Sequence, residues 1–480
     1  MFNSILILTT SVLFQSFPNV SQEENFSNQI FVKFCEEISE KDKDEILRTH
    51  VPQKESVHFY ENIPNLALIS FPKRTTPEEV FVIVEELEEK NLFEFVEQDR
   101  IFVLEQNQVI PNDSGFNQLW GHRNTGQNGG QVGFDMDSTM AWSISQGSPN
   151  VRVMIIETGV QMNHPDLNMG EERDFTTGVV GGIPSSGLLN ACDNHGTCVA
   201  GVISGKINNS VGTVGLSPLS PTVSAKVGSA NVPCEGSWFG QTSWTVNALN
   251  WAVSNNIRVT NNSNSYGFYS NTLNYAYSAT KNLGLVHFAS SGNSGINSIA
   301  YPAAYSSVNA IGSANRNGER SNFSNYGSGL FMVAPGESIY TTDRTGSIGY
   351  SSSSFVSIDG TSFSSPYAAA LAALILSKNP NLTPNEVTSI MKESGTDLGS
   401  NGFDSFTGWG MINAHSALLN TPSPYCEGDL TQDENVDGAD LAVLLGEWGV
   451  CENCESDINE DGQVNGADLS LVLSSWGSCE

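Results

Sequence analysis

The stretch Gly360–Leu371, GTSFSSPYAAAL, decides the fold because it predicts a serine at the start of a buried helix. A Gly-Thr turn precedes Ser362, and small apolar residues follow Pro366. Backbone N–H groups at a helix N-terminus stabilise negative charge that develops beside them. Ser362 is therefore a candidate nucleophile, and a serine hydroxyl needs a base to attack at neutral pH.

A candidate base lies upstream, in the segment NHGTCVAG of residues 194–201, where His195 precedes a run of small residues. Further upstream, the run Val151–Ile156, apolar apart from Arg152, predicts a buried parallel strand, and Glu157 follows it directly. Open α/β sheets build their sites at this carboxyl end. An acid, a histidine and a serine thus follow one another in one of the known orders of the serine triad. In isolation, His195 could also be a core histidine with all its hydrogen bonds satisfied.

A further segment supplies a candidate for stabilising an oxyanion. Residues 285–289, LVHFA, predict a strand that ends in the turn SSGNSG of residues 290–295. The side-chain amide of Asn293 can donate a hydrogen bond to an oxyanion without carrying a charge. The alternative is that Asn293 is a plain turn residue in the left-handed conformation beside glycine.

These motifs resemble the subtilases, the subtilisin-like serine peptidases, and the resemblance extends over residues 111–420. It implies an α/β fold, a three-layer domain with a mostly parallel sheet. It also implies a monomeric serine endopeptidase that hydrolyses peptide bonds of protein or peptide substrates. The roles implied are nucleophile for Ser362, base for His195, orienting acid for Glu157 and oxyanion donor for Asn293.

The segment Ser265-Tyr266-Gly267 resembles the subtilase segment that pairs with an extended peptide substrate. One position departs from the family pattern, because subtilases have Asp where this chain has Glu157. Asp166 and Asp193 are other acids near the motifs, but neither is at the matching position. Two alternatives stay open. One is a catalytically impaired subtilase-fold binding protein, and the other is an esterase-like hydrolase, against which the lack of Gly-x-Ser-x-Gly counts.

The N-terminal part of the chain predicts export and maturation. Residues 1–21 contain a short apolar run that reads as a signal peptide, or alternatively as a buried strand. Residues 22–110 resemble the inhibitory propeptide of subtilases. Within them, strand patterns at 30–34, 65–71 and 93–97 alternate with helical patterns at 37–48 and 77–89, which suggests a split βαβ unit. Autocleavage is expected between Leu104 and Asn112, and an unrelated domain that stays attached is the alternative.

The C-terminal residues 421–480 are strongly acidic and contain an internal repeat of 28 residues. They hold fourteen Asp and Glu and no Lys or Arg, within a chain of net charge −31. This charge argues against a nucleic-acid partner. Each repeat has oxygen-bearing residues at the positions that a calcium loop requires. The candidate ligands are Asp429, Thr431, Asp433, Asn435, Asp437 and Asp440 in the first loop, and Asp457, Asn459, Asp461, Gln463, Asn465 and Asp468 in the second.

The paired loops resemble dockerin type I repeats, which implies two Ca²⁺ sites and a cohesin-like partner, on an assembly or a cell surface. The alternative is an acidic linker. Position 6 of such loops is usually glycine, which Gly462 satisfies and Glu434 does not, so the first site is expected to be weaker. Further calcium within the peptidase domain is expected from the subtilase resemblance.

Eight cysteines fit an exported protein, and the sequence offers pairings for several of them. Cys426 and Cys451, and likewise Cys454 and Cys479, are 25 positions apart, which suggests one disulfide inside each repeat. Cys198 is expected to be a buried free thiol behind the His195 helix. No later segment is apolar and long enough to predict a membrane span.

Overall fold

The computed structural model describes residues 26–60, 62–72, 75–88, 90–100, 108–176, 194–230, 238–424, 428–431, 433, 435–451, 454–459 and 461–478. The chain forms two compact units, residues 1–105 and 106–480. The predicted signal peptide lies outside the described residues, and so does the start of the predicted cleavage segment, residues 104–107. Within the described residues, no helix has both the length and the apolar character needed to cross a bilayer.

The first unit folds in the order β-α-β-β-α-β. Its elements are β1 (Phe26–Phe34), α1 (Glu40–His50), β2 (Ser56–Phe59), β3 (Leu66–Ser70), α2 (Pro77–Glu88) and β4 (Phe93–Arg100). The four strands form an antiparallel sheet in the order β2-β3-β1-β4. Alternate residues of β1, namely Ile30, Val32 and Phe34, are buried in its core. The pattern at 30–34 therefore predicted β1, whereas β2 was missed because it is a mostly exposed edge strand.

The second unit contains a seven-stranded sheet in which every pairing is parallel. In spatial order its strands are β13 (Leu330–Pro335), β12 (Asn309–Ala314), β11 (Val286–Ser290), β10 (Val259–Asn262), β5 (Val153–Glu157), β7 (Thr222–Lys226) and β6 (Met169–Asp174). The strand order reverses beside β5, and the crevice at such a switch point is where open α/β sheets place their sites. The predicted α/β fold with a mostly parallel sheet is confirmed.

Helices cover both faces of this sheet. On one face lie α4 (His195–Ser204) and α7 (Thr361–Lys378), which contact each other and the central strands. On the other face lie α5 (Thr242–Ser254) and α6 (Asn271–Asn282). The remaining α-helices and strands of the domain are α3 (Ser138–Ile144), β8 (Gly228–Ala230), β9 (Trp238–Gly240), β14 (Ile339–Thr342), β15 (Phe355–Ile358), α8 (Pro384–Ser394) and α9 (Ala414–Asn420).

Helix α7 is the centre of the core, and its composition explains why. It is buried all round from Thr361 to Leu376, because it packs against β10 to β13, α4, α8 and α9. A helix that is apolar on every side is stable only in such a place. The alanines let the neighbouring elements approach closely, so the sequence Tyr367–Leu376 fixes this helix at the middle of the layer.

The C-terminal repeats build a small structure with its own core. Each repeat forms a short strand and a helix, and short strands follow the helices. The elements are β16 (Asn435–Val436), α10 (Gly438–Gly446), β17 (Gly449–Val450), β18 (Gln463–Val464), α11 (Gly466–Ser474) and β19 (Gly477–Ser478). Strand β16 pairs with β19 and β17 with β18, so the two repeats interlock. Equivalent residues of the two repeats, Val436 with Val464 and Leu444 with Val472, form the core.

One sequence prediction for this region is wrong. The structure joins Cys451 to Cys454, whereas one disulfide inside each repeat was predicted. Their Cα atoms are 5.9 Å apart, within the range that a disulfide spans. Both cysteines lie between β17 and the second loop. Cys426 and Cys479 lie outside the described residues.

Candidate active site

Glu157 occupies the carboxyl end of strand β5 and is fully buried. Its Oε2 atom lies 3.0 Å from Nδ1 of His195 and accepts a hydrogen bond from the backbone N–H of Thr158 (3.2 Å). Its Oε1 atom is buried and accepts no hydrogen bond from the described residues. The longer side chain of glutamate thus reaches the imidazole through one oxygen.

His195 is the first residue of α4, and the contact with Glu157 sets its tautomer. A carboxylate can only accept, so Nδ1 carries the proton and Nε2 is left as the base. Burial acts to lower the pKa of His195, but the charge of Glu157 and the hydrogen bond to it outweigh burial, and the net pKa is raised. The small residue behind the histidine is required, because a Cβ on Gly196 would lie 2.3 Å from the carbonyl oxygen of Gly159.

Ser362 is the second residue of α7 and is almost completely buried. No hydrogen bond between described residues joins its Oγ to His195. Instead Oγ donates to the carbonyl oxygen of Ser263 (3.0 Å), and the Oγ of Ser263 donates to the carbonyl oxygen of Ser362 (2.7 Å). The ring of His195 lies 5.8 Å, centroid to centroid, from that of Phe363, so the imidazole is next to this helix turn. Hydrogen bonds of a resting site are often tightened only when the substrate binds.

The reciprocal pair with Ser263 has a local cause that the sequence analysis missed. Pro366 has no N–H, so the carbonyl of Ser362, four residues earlier, lacks its helical donor. The hydroxyl of Ser263 supplies the missing hydrogen bond. Two signals point to Ser263: it directly follows the central strand β10, and a proline lies four residues after the nucleophile.

Asn293 lies opposite the start of α7, as the oxyanion role requires. Its Oδ1 accepts hydrogen bonds from the backbone N–H (2.9 Å) and the hydroxyl (2.7 Å) of Thr361. This arrangement leaves the Nδ2 of an exposed side chain to donate elsewhere. The N–H of Ser362 lies in the first turn of the helix, where backbone donors have no partner within the helix. The two donors predicted for an oxyanion therefore lie on adjoining segments.

The predicted substrate segment follows Asn264 along the upper edge of the sheet. Ser265 and Gly267 are exposed, and no main-chain hydrogen bond within the described part of the chain engages either of them. Tyr266 donates its N–H to the carbonyl oxygen of Tyr301 (2.6 Å), which anchors the middle of the segment. A cavity of about 170 Å³ adjoins it, with Asn264, Val227 and Trp238 among its lining residues.

Three other histidines of the peptidase domain, His122, His164 and His287, have structural roles. His122 and His287 are buried, and burial lowers the pKa of each to about 3, so both are neutral. His164 is also buried and hydrogen-bonded internally, to Asp166 and Ser354. Cys198 is a buried free thiol, as predicted.

Neither alternative acid takes the place of Glu157 in the structure. Asp166 accepts hydrogen bonds from Asn209 and Thr213 and does not contact His195. Asp193 lies outside the described residues.

Asp166 belongs to a second polar cluster in this domain. Asn209 donates to it through its side chain and to Asp113 through its backbone N–H. Burial, with the charge of Asp113 adding to it, raises the pKa of Asp166 to about 7. Asn209 therefore bridges two carboxylates of this domain, one through its side-chain amide and one through its backbone N–H.

The C-terminal loops wind around their own carboxylates. In the second loop, the backbone N–H groups of Asp461 (3.1 Å) and Gly462 (2.8 Å) donate to the carboxylate of Asp457. Gly462 has φ of +85°, a conformation that favours glycine. In the first loop, Asp433 donates its N–H to Asp429 in the same way (3.2 Å).

The last candidate ligand of each loop is fully buried at the start of the following helix. Asp440 and Asp468 each complete a capping box, with Asp437 and Asn465 as the respective N-caps. The candidate donors are carboxylate, amide, carbonyl and, at Thr431, hydroxyl oxygens, which fit Ca²⁺. Among the described residues, no three His, Cys, Asp or Glu side chains are grouped closely enough to hold a metal ion. Calcium binding at the twelve candidate ligands therefore stays a prediction.

Known proteins are similar to this chain over the domain that contains the site. Residues 148–410 match the model of the subtilase family, peptidase family S8. Over 267 residues, 56% of this chain, the chain is 37% identical to Subtilisin Savinase from Lederbergia lenta, of which it covers 90%. It is 35% identical to an alkaline protease from Shouchella clausii, of which it covers 64%.

A solved structure is also similar. It is described as proteases from Pseudoalteromonas arctica PAMC 21717, and it aligns with a TM-score of 0.56 and 27% identity over 65% of this chain and 99% of its own. The family match spans Glu157, His195, Ser362 and Asn293. The chain therefore belongs to the subtilase family of serine peptidases.

Proposed function

We propose that this subtilase is a secreted serine endopeptidase that works through a Glu157–His195–Ser362 triad. The observation that carries the proposal is the 3.0 Å contact between Glu157 Oε2 and His195 Nδ1. A carboxylate at this distance would hold the imidazole in the reactive tautomer and stabilise the imidazolium that forms, which supports the proposal. Glutamate therefore does the work that aspartate does in other subtilases.

In the proposed reaction, Ser362 Oγ turns away from the carbonyl of Ser263 and donates its proton to Nε2 of His195. The oxygen then attacks the scissile carbonyl, and His195 later protonates the leaving amine. Negative charge develops on the carbonyl oxygen. The Nδ2 of Asn293 and the N–H of Ser362 are the proposed donors to it, since neither is committed to another acceptor among the described residues.

The proposed substrate is an extended segment of a protein or peptide. The main-chain groups of Ser265 and Gly267 would add the substrate to this edge as a strand. Such pairing engages the backbone of the substrate, so it tolerates many side chains. The adjoining cavity would then select among them.

We further propose that residues 22–110 form an inhibitory propeptide that follows a signal peptide at 1–21. The support is the βαββαβ unit that the chain forms before the peptidase domain of 111–420. Removal of this unit is proposed to need the triad. A chain that fails to remove it would support the alternative function, a catalytically impaired binding protein.

We also propose that residues 421–480 are a dockerin-like module that binds two Ca²⁺ ions and docks onto a cohesin-like partner on a surface or an assembly. The loops that wind around Asp429 and Asp457 support this. Bound calcium would neutralise the repelling carboxylates and hold each loop closed. Further calcium in the peptidase domain is proposed from the subtilase resemblance alone, without an assignment of its ligands.

A labelling experiment tests the central proposal. The secreted chain, Ser362→Ala and Ser364→Ala are each treated with a fluorophosphonate probe in calcium and examined by intact mass spectrometry. Ser364 is the matched control, because it is a buried serine of the same helix whose hydroxyl donates to Pro335. We expect labelling and loss of the N-terminal unit in the natural chain and in Ser364→Ala, and neither in Ser362→Ala. An unlabelled and uncleaved natural chain would establish the impaired binding protein instead.

A further inference from the structure

The segment that carries Glu157 is held by a row of hydrogen bonds to its backbone. Three consecutive carbonyl oxygens, those of Ile156, Glu157 and Thr158, each accept one from a different neighbour. In the same order the donors are Asn264 Nδ2 (2.6 Å), the N–H of Val227 (2.8 Å) and Lys226 Nζ (2.7 Å). The end of β5 is therefore fixed from both adjacent strands at once.

Two of these three donors are side chains, and the sheet register explains the need for one of them. The pairing of β5 with β10 ends at Ile155 and Asn261, one residue before Ile156. The amide of Asn264 takes over where this pairing stops, and Asn262 Nδ2 lies 3.4 Å from the same oxygen. A carbonyl oxygen can only accept, so the nitrogen of Asn264 must face it.

The backbone matters here because the carboxylate itself has few contacts. Its Oε2 atom meets His195 and the neighbouring Thr158 N–H, while Oε1 accepts nothing from the described residues. Glutamate also has one more rotatable bond than aspartate. With so few contacts to restrain the side chain, the backbone of residues 156–158 has to supply a fixed point from which the carboxylate reaches the imidazole.

We propose that Asn264 is a positioning residue whose amide, by holding the carbonyl of Ile156, sets the place where Glu157 meets His195. The inference rests on the proposed role of Glu157 as the acid of the triad. Asn264 is only 4% exposed, and it also lines the cavity beside Ser265–Gly267. A substrate side chain in that cavity thus contacts the residue that positions the acid.

The test is Asn264→Leu, which keeps the volume of the side chain and removes the donor. A shift of about 1 Å in a catalytic group costs on the order of a hundredfold in rate, so we expect kcat to fall ten- to hundredfold. The acid limb of the profile of kcat/KM against pH should move to lower pH. It does so because a more distant Glu157 raises the pKa of His195 less. Other titratable groups also lie near Glu157 and His195, namely Lys226, Asp343 and Cys198. The substitution leaves these three groups unchanged.

A double-mutant cycle separates positioning from general damage. In a Glu157→Gln background, Asn264→Leu should lower kcat by less than about twofold, because the contact it protects is already gone. Equal losses in both backgrounds, with an unmoved acid limb, would overturn the inference. Should Asn264→Leu not fold, Asn264→Ser, which is too short to reach Ile156, enters the same cycle with the same expectations.

Two controls keep the outcomes distinct. Asn124→Leu removes another buried amide that donates to two carbonyl oxygens, those of Phe134 and Arg316, outside the site. It should lower the melting temperature and leave the acid limb in place. If Glu157→Gln by itself leaves kcat unchanged, the proposed acid fails. If Glu157→Gln is impaired and Asn264→Leu is not, only the inference about Asn264 fails.

Discussion

The active site and the C-terminal loops both hold carboxylates in place, but they do so over very different distances along the chain. The histidine partner of Glu157 comes from α4, 38 positions away, and the backbone beside Glu157 is held by residues that follow or end two other strands. By contrast, within the described part of the chain, Asp440 and Asp468 accept hydrogen bonds only from their own twelve-residue loops. The first arrangement needs the whole domain to fold, whereas the second is built by local sequence.

The largest effect should come from removing the charge of Glu157 in the active site. Glu157→Gln keeps the shape of the side chain, but its amide can present an N–H to His195 and favour the wrong tautomer. We expect kcat on a peptide substrate to fall about ten-thousand-fold, the scale for loss of the acid in a serine triad. Glu386→Gln, at an exposed carboxylate of α8, is the control and should leave kcat unchanged. A loss under tenfold would mean that Glu157 does not act as the triad acid.

A second prediction concerns pH. The neutral imidazole is the active form, and the pKa of His195 is raised by Glu157, so kcat/KM should rise with pH through a midpoint above the ordinary histidine value of about 6.5. In Glu157→Gln the raising charge is lost, so the residual activity should show a midpoint at lower pH. The measurement is kcat/KM between about pH 5 and pH 10 for both proteins. Identical midpoints would show that no charge at residue 157 acts on His195.

In the C-terminal loops, we expect a smaller effect from a substitution that changes only the backbone conformation. Gly462→Ala places a side chain at φ of +85°, which costs about 1–2 kcal/mol, so calcium affinity of the second loop should fall about five- to thirtyfold. Gly466→Ala is matched, since a Cβ there contacts nothing within 4 Å and its φ is ordinary. Calorimetric titration with Ca²⁺ should show the loss only for Gly462→Ala, and equal affinities would argue against the calcium-loop assignment.

The smallest effect is expected for the helix capping boxes, which are present in both the peptidase domain and the C-terminal module. Thr383 and Glu386 form a capping box at α8, and Asp437 and Asp440 form one at α10. Thr383→Ala should cost about 1 kcal/mol of unfolding free energy, with or without calcium. Asp437→Ala should cost more in calcium than in a chelator, because its carboxylate is also a proposed ligand. Thermal unfolding in both conditions measures the difference, and an equal cost would remove Asp437 from the ligand set.

The sequence predicted those parts of the site whose structure depends on a short run of neighbouring residues. Strand β5 was predicted from its apolar run and α7 from its small residues, and each ends or begins at a functional residue. The order of the motifs and the family they resemble then indicated the roles of His195, Ser362 and Asn293. The disulfide was predicted wrongly, because equal spacing of Cys426–Cys451 and Cys454–Cys479 says nothing about which sulfur atoms meet.

The sequence by itself determined the subtilase fold, the candidate triad and the two acidic loops, because periodicity, turns and loop ligands act over a few residues. Only the tertiary structure decided that Ser263 holds Ser362, 99 positions away, and that Asn264 holds the backbone beside Glu157, 108 positions from Ile156. These contacts depend on how parallel strands line up at one edge of the sheet. That alignment is set by the packing of the whole core around α7, so no short segment of the sequence contains it.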